Sequence, residues 1–519
     1  MKALLMHRDR DFDLDGGSPR NDRALTRDLA LETLVAGMAG ENRLLHAVAS
    51  KALLAAPTND VETVLHRQAV LRDCLQHRAA VRELYELAVE AVESKRKQHL
   101  GIWGHHPSSV LYSAVETMGM QLKMLRRLRD LARARREGFA SEGFTSLFST
   151  LERELDDEYL ARIEAHLGEL KFRRGKLISA ELGPGNVGRG YVLREPHRDE
   201  RPWLERVFTK GPAAYTFHLA PRDDAGAQIL SEMENRSINA VANALAQSAD
   251  HVDRFFQAMC LELAFYVGCL NLHERLTLLG EPICFPVPCS AGERRLRFHD
   301  LHDACLALEM QRAVVGNTVE ADGKNLVVVT GANQGGKSSF LRAIGVAQLM
   351  MQSGMFVSGG SFEAELVHGV VTHYKREEDA AMKSGKLDEE LGRMSGLVEH
   401  LAPNVLVLFN ESFAATNERE GSEIARQVVA ALLEKGMKVI FVTHLHTLGR
   451  SLFEKKSDAA LFLRAERRPD GTRSFKLLPG EPLATSYGRD LYERIFAGER
   501  DGPGSLAVLS VLPAQGPRR

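Results

Sequence analysis

What this 519-residue chain lacks narrows what it can be. It has only six cysteines (Cys74, Cys260, Cys269, Cys284, Cys289 and Cys305) and no Cys-x-x-Cys pair, which excludes a disulfide scaffold and a dithiol redox motif. Reduced thiols and a cytoplasmic location are expected. Cys284, Cys289, His299, His302 and Cys305 lie close together in sequence, but their spacing fits no usual zinc pattern. Buried thiols and surface histidines are expected there. Long apolar runs are also missing: no stretch approaches the roughly 18 residues of a membrane helix. The opening Met1-Lys-Ala-Leu-Leu-Met-His-Arg8 has too short an apolar core for a signal peptide. No membrane partner is expected. Charge of one sign is lacking too, with 67 Lys and Arg against 69 Asp and Glu. Any nucleic-acid contact must therefore come from a local patch.

Glycine and proline are scarce from about Leu29 to Leu167 apart from His105-His106-Pro107, so long helices in a bundle or lever arrangement are expected. One starts at Asn59, a candidate N-cap with Glu62 three residues on, followed by an apolar stripe through Val61, Val64, Leu65, Leu71, Cys74 and Leu75. Within this region Leu125, Leu128 and Leu131 face a core, while arginines from Arg126 to Arg136 project outward. A solvated face is the favoured reading, and a strip contacting phosphate backbone is the alternative. Residues 172–220 change to strand-like patterns at 176–182, 191–194 and 214–219. Gly183, Gly185 and Gly188 match G-x-G-x-x-G, but a strand follows instead of a helix, so a glycine-rich hairpin is expected. His251 to His273 is apolar on nearly all sides and reads as a central buried helix.

The most specific signal is Val327-Val-Val-Thr-Gly-Ala-Asn-Gln-Gly-Gly-Lys-Ser338, which contains G-x4-G-K-S. An apolar strand runs into a glycine-rich turn that opens a helix. Its backbone N–H groups can wrap phosphates. Gly331, Ala332, Asn333, Gln334, Gly335, Gly336 and Ser339 would form the cradle. Lys337 would reach the β- and γ-phosphates, and Ser338 would ligate Mg²⁺. ATP and Mg²⁺ are the expected cofactors.

Two further strands aim at the same place. Val405 to Phe409 is a buried run ending in Asn410-Glu411. Asn410 stands where an Asp usually holds the Mg²⁺ shell. Its amide oxygen can still accept from a metal-bound water, but the charge is gone. Glu411 is the candidate base or water-orienting group. Lys438 to Val442 is a third strand, and Thr443-His444 follows, so His444 is placed at the γ-phosphate or its attacking water.

Gly331-Ala-Asn333-Gln-Gly335-Gly336-Lys337-Ser338-Ser339 resembles the phosphate loop of MutS proteins, the DNA mismatch-repair ATPases. The likeness continues in Asn410-Glu411, through Thr416 and Gly421, in Thr443-His444, and in Thr485-Ser486-Tyr487-Gly488. It also covers Ser384 to Glu389, at the place of the family's signature loop. The resemblance implies that Ser384 and Glu389 act on a partner's ATP, in a homodimer with composite sites. It further implies helical arms that hold duplex or branched DNA. Asn410 departs from the family's Asp, Phe413-Ala-Ala415 from its Gly/Arg-rich turn, and Lys386 from an aromatic. No Phe-x-Glu mismatch-reading motif occurs near the N-terminus, so a short form without strong mismatch discrimination is expected.

The expected fold is an α/β P-loop (ABC-type) ATPase domain with a parallel-rich sheet, preceded by a mostly helical core and lever region with a small β-hairpin insert. The expected segments are a mobile arm over 1–27, lever helices over 28–171 and a β-rich insert over 172–220. Buried core helices and a linker over 221–296, the ATPase domain over 297–498 and a flexible tail over 499–519 complete the chain. The alternative function is an ATP-gated protein-interaction or scaffold module with no direct DNA role.

Overall fold

The computed structural model describes residues 1–17, 21–54, 60–99, 106–173, 175–194, 215–216, 218–376, 385–398, 401–468 and 471–482. The chain forms two compact units: Met1–Asp15, Asn42–Val48 and His66–Leu270 make the first, and Gly16–Glu41, Ala49–Leu65 and Asn271–Arg519 the second. Ser384, Asn59, Arg174 and the segment 485–488 lie outside the described residues.

The first unit is built on helices, including Arg78–His99, Pro107–Arg135, Glu142–Glu154 and Asp157–Glu169. The helix Val61–Gln76 contributes its larger part here. Its first turn is capped by Asp60, whose carboxylate accepts from the Thr63 N–H at 3.0 Å. Pro107 occupies the first turn of its helix, where its missing N–H costs nothing. The glycine-rich segment forms the expected hairpin: β1 (Leu177–Leu182) pairs antiparallel with β2 (Gly188–Arg194) around a tight turn. Tyr215, Thr216, His218 and Leu219, expected in a strand, are not in one.

Two expectations are corrected in this unit. The N-terminal stretch is not a mobile arm: Leu5, Met6 and Phe12 are buried. The Glu262 carboxylate accepts from the N–H groups of Leu5, Met6 and Phe12, and buried Arg67 donates to the Met6 carbonyl at 2.8 Å. These partners lie about 60 and 250 residues away, so local composition carries no trace of them. The second correction concerns the helix Asp224–Leu278, which contains an 18-residue window of mean hydropathy 1.4 and thus meets the length and apolarity of a membrane span. That window is 83% buried within the protein, around Phe255, Phe256, Met259 and Leu263, so packing accounts for its composition.

The second unit carries an α/β sheet. Its strands are β3 (Ile283–Cys284), β4 (Val287–Cys289), β5 (Leu296–Leu301), β6 (Asn317–Glu320), β7 (Leu326–Gly331), β8 (Val357–Ser358), β9 (Ser361–Glu365), β10 (Gly369–Tyr374), β11 (Val405–Asn410), β12 (Lys438–Val442), β13 (Ala460–Arg467) and β14 (Arg473–Pro479). The main sheet has the order β10-β11-β12-β7-β13-β14, parallel except for β14. β7, β11 and β12 are buried almost end to end, as continuous apolar runs covered on both faces must be. On one face Val328, Val407, Phe409, Val439 and Phe441 pack against Ala425, Val429 and Leu432 of the helix Glu418–Glu434. Each buried phenylalanine contributes roughly 1.5–3 kcal/mol. A four-stranded sheet, β4-β9-β5-β6, accompanies it, and its β5 and β6 contribute Leu301 and Asn317 to the lining of the nucleotide-site cavity.

Candidate nucleotide site

The C-terminal ends of β7, β11 and β12 converge because parallel pairing sets them in register. The Glu411 N–H donates to the Val442 carbonyl at 2.9 Å, and the Thr443 N–H to that of Val329 at 3.0 Å. After β7 the chain turns through Gly331 (φ +106°) and Gly336 (φ +85°), conformations that disfavour a Cβ. The helix Lys337–Gln352 starts there. Lys337 is buried, and its ammonium donates to the carbonyls of Gly331 and Ala332 at 3.1 and 2.8 Å. Burial pushes its pKa down to about 8, with the Glu411 carboxylate opposing and the Arg473 guanidinium reinforcing the shift. Asn333, Gln334 and Ser338 are exposed at the mouth of the loop, Ser339 is half-buried and Gly335 is buried.

The Ser338 hydroxyl donates to Asn410 Oδ1 at 3.1 Å. Next to it Glu411 adopts φ +55°, a strained backbone for a side-chain-bearing residue. Its carboxylate accepts from His444 Nε2 at 2.8 Å. That bond, with the nearby Lys337 and Lys375 charges, holds the Glu411 carboxyl below its ordinary pKa against the effect of burial. Glu411 is thus an ionised acceptor with one oxygen committed to His444.

A cavity of about 970 Å³ joins these groups. Its lining includes Asn333 to Phe340, Glu411 and His444, together with Leu306, Met310, Val314, Val315 and Phe475. The phosphate-type loop and the carboxylate–histidine pair therefore share one cavity with a set of apolar side chains, of which Phe475 lies against Gly336 of the loop. Sequence reasoning missed these apolar residues. Phe475, with φ +61°, has its carbonyl held by the Asn317 amide at 3.2 Å, and Arg473 Nε donates to the Asn333 carbonyl at 3.3 Å. Asp470-Gly471, between β13 and β14, is the hairpin signal that could have announced this strand pair.

Other singled-out residues fall elsewhere. Glu389 lies in the first turn of the helix Lys386–Val398, with Arg393 Nε 3.8 Å from its carboxylate. His302, expected on the surface, is buried between Glu281 at 2.8 Å and Asp300 at 3.1 Å. Burial lowers its pKa, but the two carboxylates outweigh that and raise it. Cys305 is buried, and Cys284 has its pKa pushed up to about 11 by burial. Four arginines of the strip are paired: Arg126 with Glu164, Arg127 with Glu90, Arg135 with Glu83 and Arg136 with Glu152, while Arg133 is exposed. Arg129 does not project outward: it is buried against Asp130, Asp157 and the Leu155 carbonyl.

Comparison with known proteins matches this architecture in two pieces. Residues 59–279 match the MutS2 N-terminal domain, and residues 327–494 match MutS domain V, which contains the loop, Glu411 and His444. The chain belongs to the MutS family. It is 31% identical over 183 residues to the Thermus thermophilus protein named endonuclease MutS2, covering 35% of this chain and 24% of that protein. Against the DNA mismatch repair protein MutS of Thermus thermophilus it is 28% identical over 209 residues, 40% of this chain and 25% of the relative. The corresponding MutS of Chloroflexus aurantiacus is 29% identical over 161 residues, 30% of this chain and 17% of the relative. The chain thus spans a quarter or less of the length of these relatives.

Proposed function

We propose that this MutS-family chain is an ATP-dependent DNA-binding protein, acting in DNA repair or recombination, whose P-loop domain binds and hydrolyses ATP. The observation that carries this reading is the convergence of the Lys337 loop and the Glu411–His444 pair on one cavity. The loop N–H groups, the start of the helix Lys337–Gln352 and the Lys337 ammonium would hold the phosphates. The apolar part of the lining, with Met310 and Val315, would take the base. Ser338 Oγ and Asn410 Oδ1 are neutral oxygens at the loop mouth, a donor set that fits Mg²⁺, directly through Ser338 and through water at Asn410. When bound, Mg²⁺ neutralises charge on the β- and γ-phosphates.

Glu411 orients the attacking water and accepts its proton, and His444 fixes that carboxylate through its Nε2–H. Catalysis in such a site is mostly positioning and charge stabilisation. By family likeness, Ser384 and Glu389 of each protomer complete the site of a partner copy, and ATP binding tightens that dimer around DNA. The test is ATP turnover, with and without matched, mismatched and branched duplexes, on wild type and Glu411→Gln. The variant should retain ATP binding and lose at least 100-fold in turnover. Equal turnover would remove Glu411 from the mechanism. ATP hydrolysis without DNA binding at any salt would favour an ATP-gated interaction module instead.

A further inference from the structure

A further parallel strand, β10, ends on the same side of the sheet as β11, and no motif marks it. β10 runs in register with β11, Tyr374 opposite Asn410. The next residue, Lys375, donates its backbone N–H to the Asn410 carbonyl at 2.9 Å. Lys375 therefore leaves the sheet directly beside Asn410-Glu411, at the end of the sheet where open α/β folds bind ligands. Its side chain is exposed and makes no ion pair among the described residues. Of the nearby carboxylates, Glu411 accepts from His444, Glu390 Oε1 accepts from the Phe413 N–H at 2.8 Å while its other oxygen has no hydrogen-bond partner, and Glu389 lies 3.8 Å from Arg393. The small neighbouring cleft that Lys375 lines carries four cations, Lys375, Arg376, Lys386 and Arg393, against two carboxylates, Glu389 and Glu390. The Lys375 charge is close enough to help lower the Glu411 carboxyl.

We propose that Lys375 is a nucleotide-contacting residue that brings a fixed positive charge to the γ-phosphate. This rests on the ATP-site reading above. The charge logic is specific to this chain. Asn410 supplies no negative charge to hold a metal, so the cation shielding the terminal phosphate is less firmly retained. A lysine from the adjacent strand end provides shielding that does not dissociate. It discriminates by charge, favouring the nucleotide with a third phosphate, and it lessens the dependence of affinity on Mg²⁺.

The experiment is calorimetric titration of wild type, Lys375→Met and Lys375→Arg with ADP and with the non-hydrolysable triphosphate AMP-PNP, in Mg²⁺ and in EDTA. Wild type should lose less than tenfold in AMP-PNP affinity when Mg²⁺ is removed. Lys375→Met should lose a further tenfold or more for AMP-PNP in EDTA, about 1.4 kcal/mol, with less than a threefold change for ADP. Lys375→Arg should restore most of the difference. Unchanged AMP-PNP affinity in Lys375→Met, or an equal loss for both nucleotides, overturns the assignment and leaves the ATP site standing. Failure of wild type to bind either nucleotide overturns the ATP-site reading and Lys375 with it. Because the side chain is exposed, all three proteins should melt alike, which checks that folding is not the variable.

Discussion

The site turns on a lysine that is uncomfortable without ligand. Lys337 is buried against two carbonyls, and its pKa falls to about 8 from an ordinary value of 10.5. The sign follows from which state binds the proton. Between about 8 and 10.5 the unfolded chain keeps that proton and the folded one releases it, so this group favours folding more as pH rises through that window. Phosphate binding acts in the opposite direction, because a triphosphate needs the ammonium. ATP binding above pH 8 should therefore take up a proton, and affinity should fall by up to about tenfold per pH unit above the folded pKa. Calorimetry at pH 8.5 in two buffers of different ionisation enthalpy measures that uptake. Identical heats in both buffers would mean that Lys337 is already charged in the free protein. The loop itself was legible because its chemistry is local: glycines, a lysine and a serine at fixed spacing between a strand and a helix. Phe475 and Asn317 were not: Phe475 follows only a generic Asp-Gly hairpin signal, and Asn317 comes from a segment whose own residues carry no motif.

Among the elements, legibility followed burial pattern. β7, β11 and β12 are short unbroken apolar runs ending in polar residues, and the helices Val61–Gln76 and Asp224–Leu278 show apolar faces long enough to read. β13 mixes Arg464, Glu466 and Arg467 into its length, since it nears the edge of the sheet, and it escaped notice. The N-terminal segment was misread for a different reason. Its charged residues suggest a solvated arm, yet three of its N–H groups end on one carboxylate contributed by Glu262. Burial raises that carboxyl to about 7 from 4.5, despite the opposing bonds from Leu5, Phe12 and Met6. Its folded pKa exceeds its unfolded one, so its contribution to stability is fully present below about 4.5 and is lost as pH rises through about 7. The first unit should therefore melt lower at pH 8 than at pH 5.5 by this term. Glu262→Gln should flatten the dependence and, by setting an amide donor against backbone donors, cost about 1–3 kcal/mol. Hydrogen exchange should rise over residues 1–15 in that variant. A Glu262→Gln protein with unchanged exchange there would show that apolar packing of Leu5 and Phe12 alone holds the segment.

For the whole molecule the question is where a nearly neutral protein would hold DNA. With 67 basic and 69 acidic side chains there is no global field to attract a polyanion. The arginine strip from Arg126 to Arg136 looked like one answer, but Arg126, Arg127, Arg135 and Arg136 each face a carboxylate within 3.5 Å. Phosphate contact there would have to displace those partners, so little free energy would remain. The hairpin is differently placed. Arg189 lies 4.0 Å from Glu181, Arg194 donates to the neutral Ser179 hydroxyl, and both side chains are exposed. If DNA is held by direct phosphate contacts, replacing Arg189 and Arg194 with Ala should weaken binding and reduce the salt slope by roughly two, at about 0.9 per phosphate. The fourfold Arg126, Arg127, Arg135 and Arg136 to Ala variant should change that slope by less than about one. It should also change the melting temperature little, because exposed pairs contribute roughly 0–1 kcal/mol each. Equilibrium binding to a labelled duplex from 50 to 250 mM salt distinguishes the two. A slope drop near four in the fourfold variant, with the hairpin variant unchanged, would return DNA recognition to the strip and show that its ion pairs open on binding.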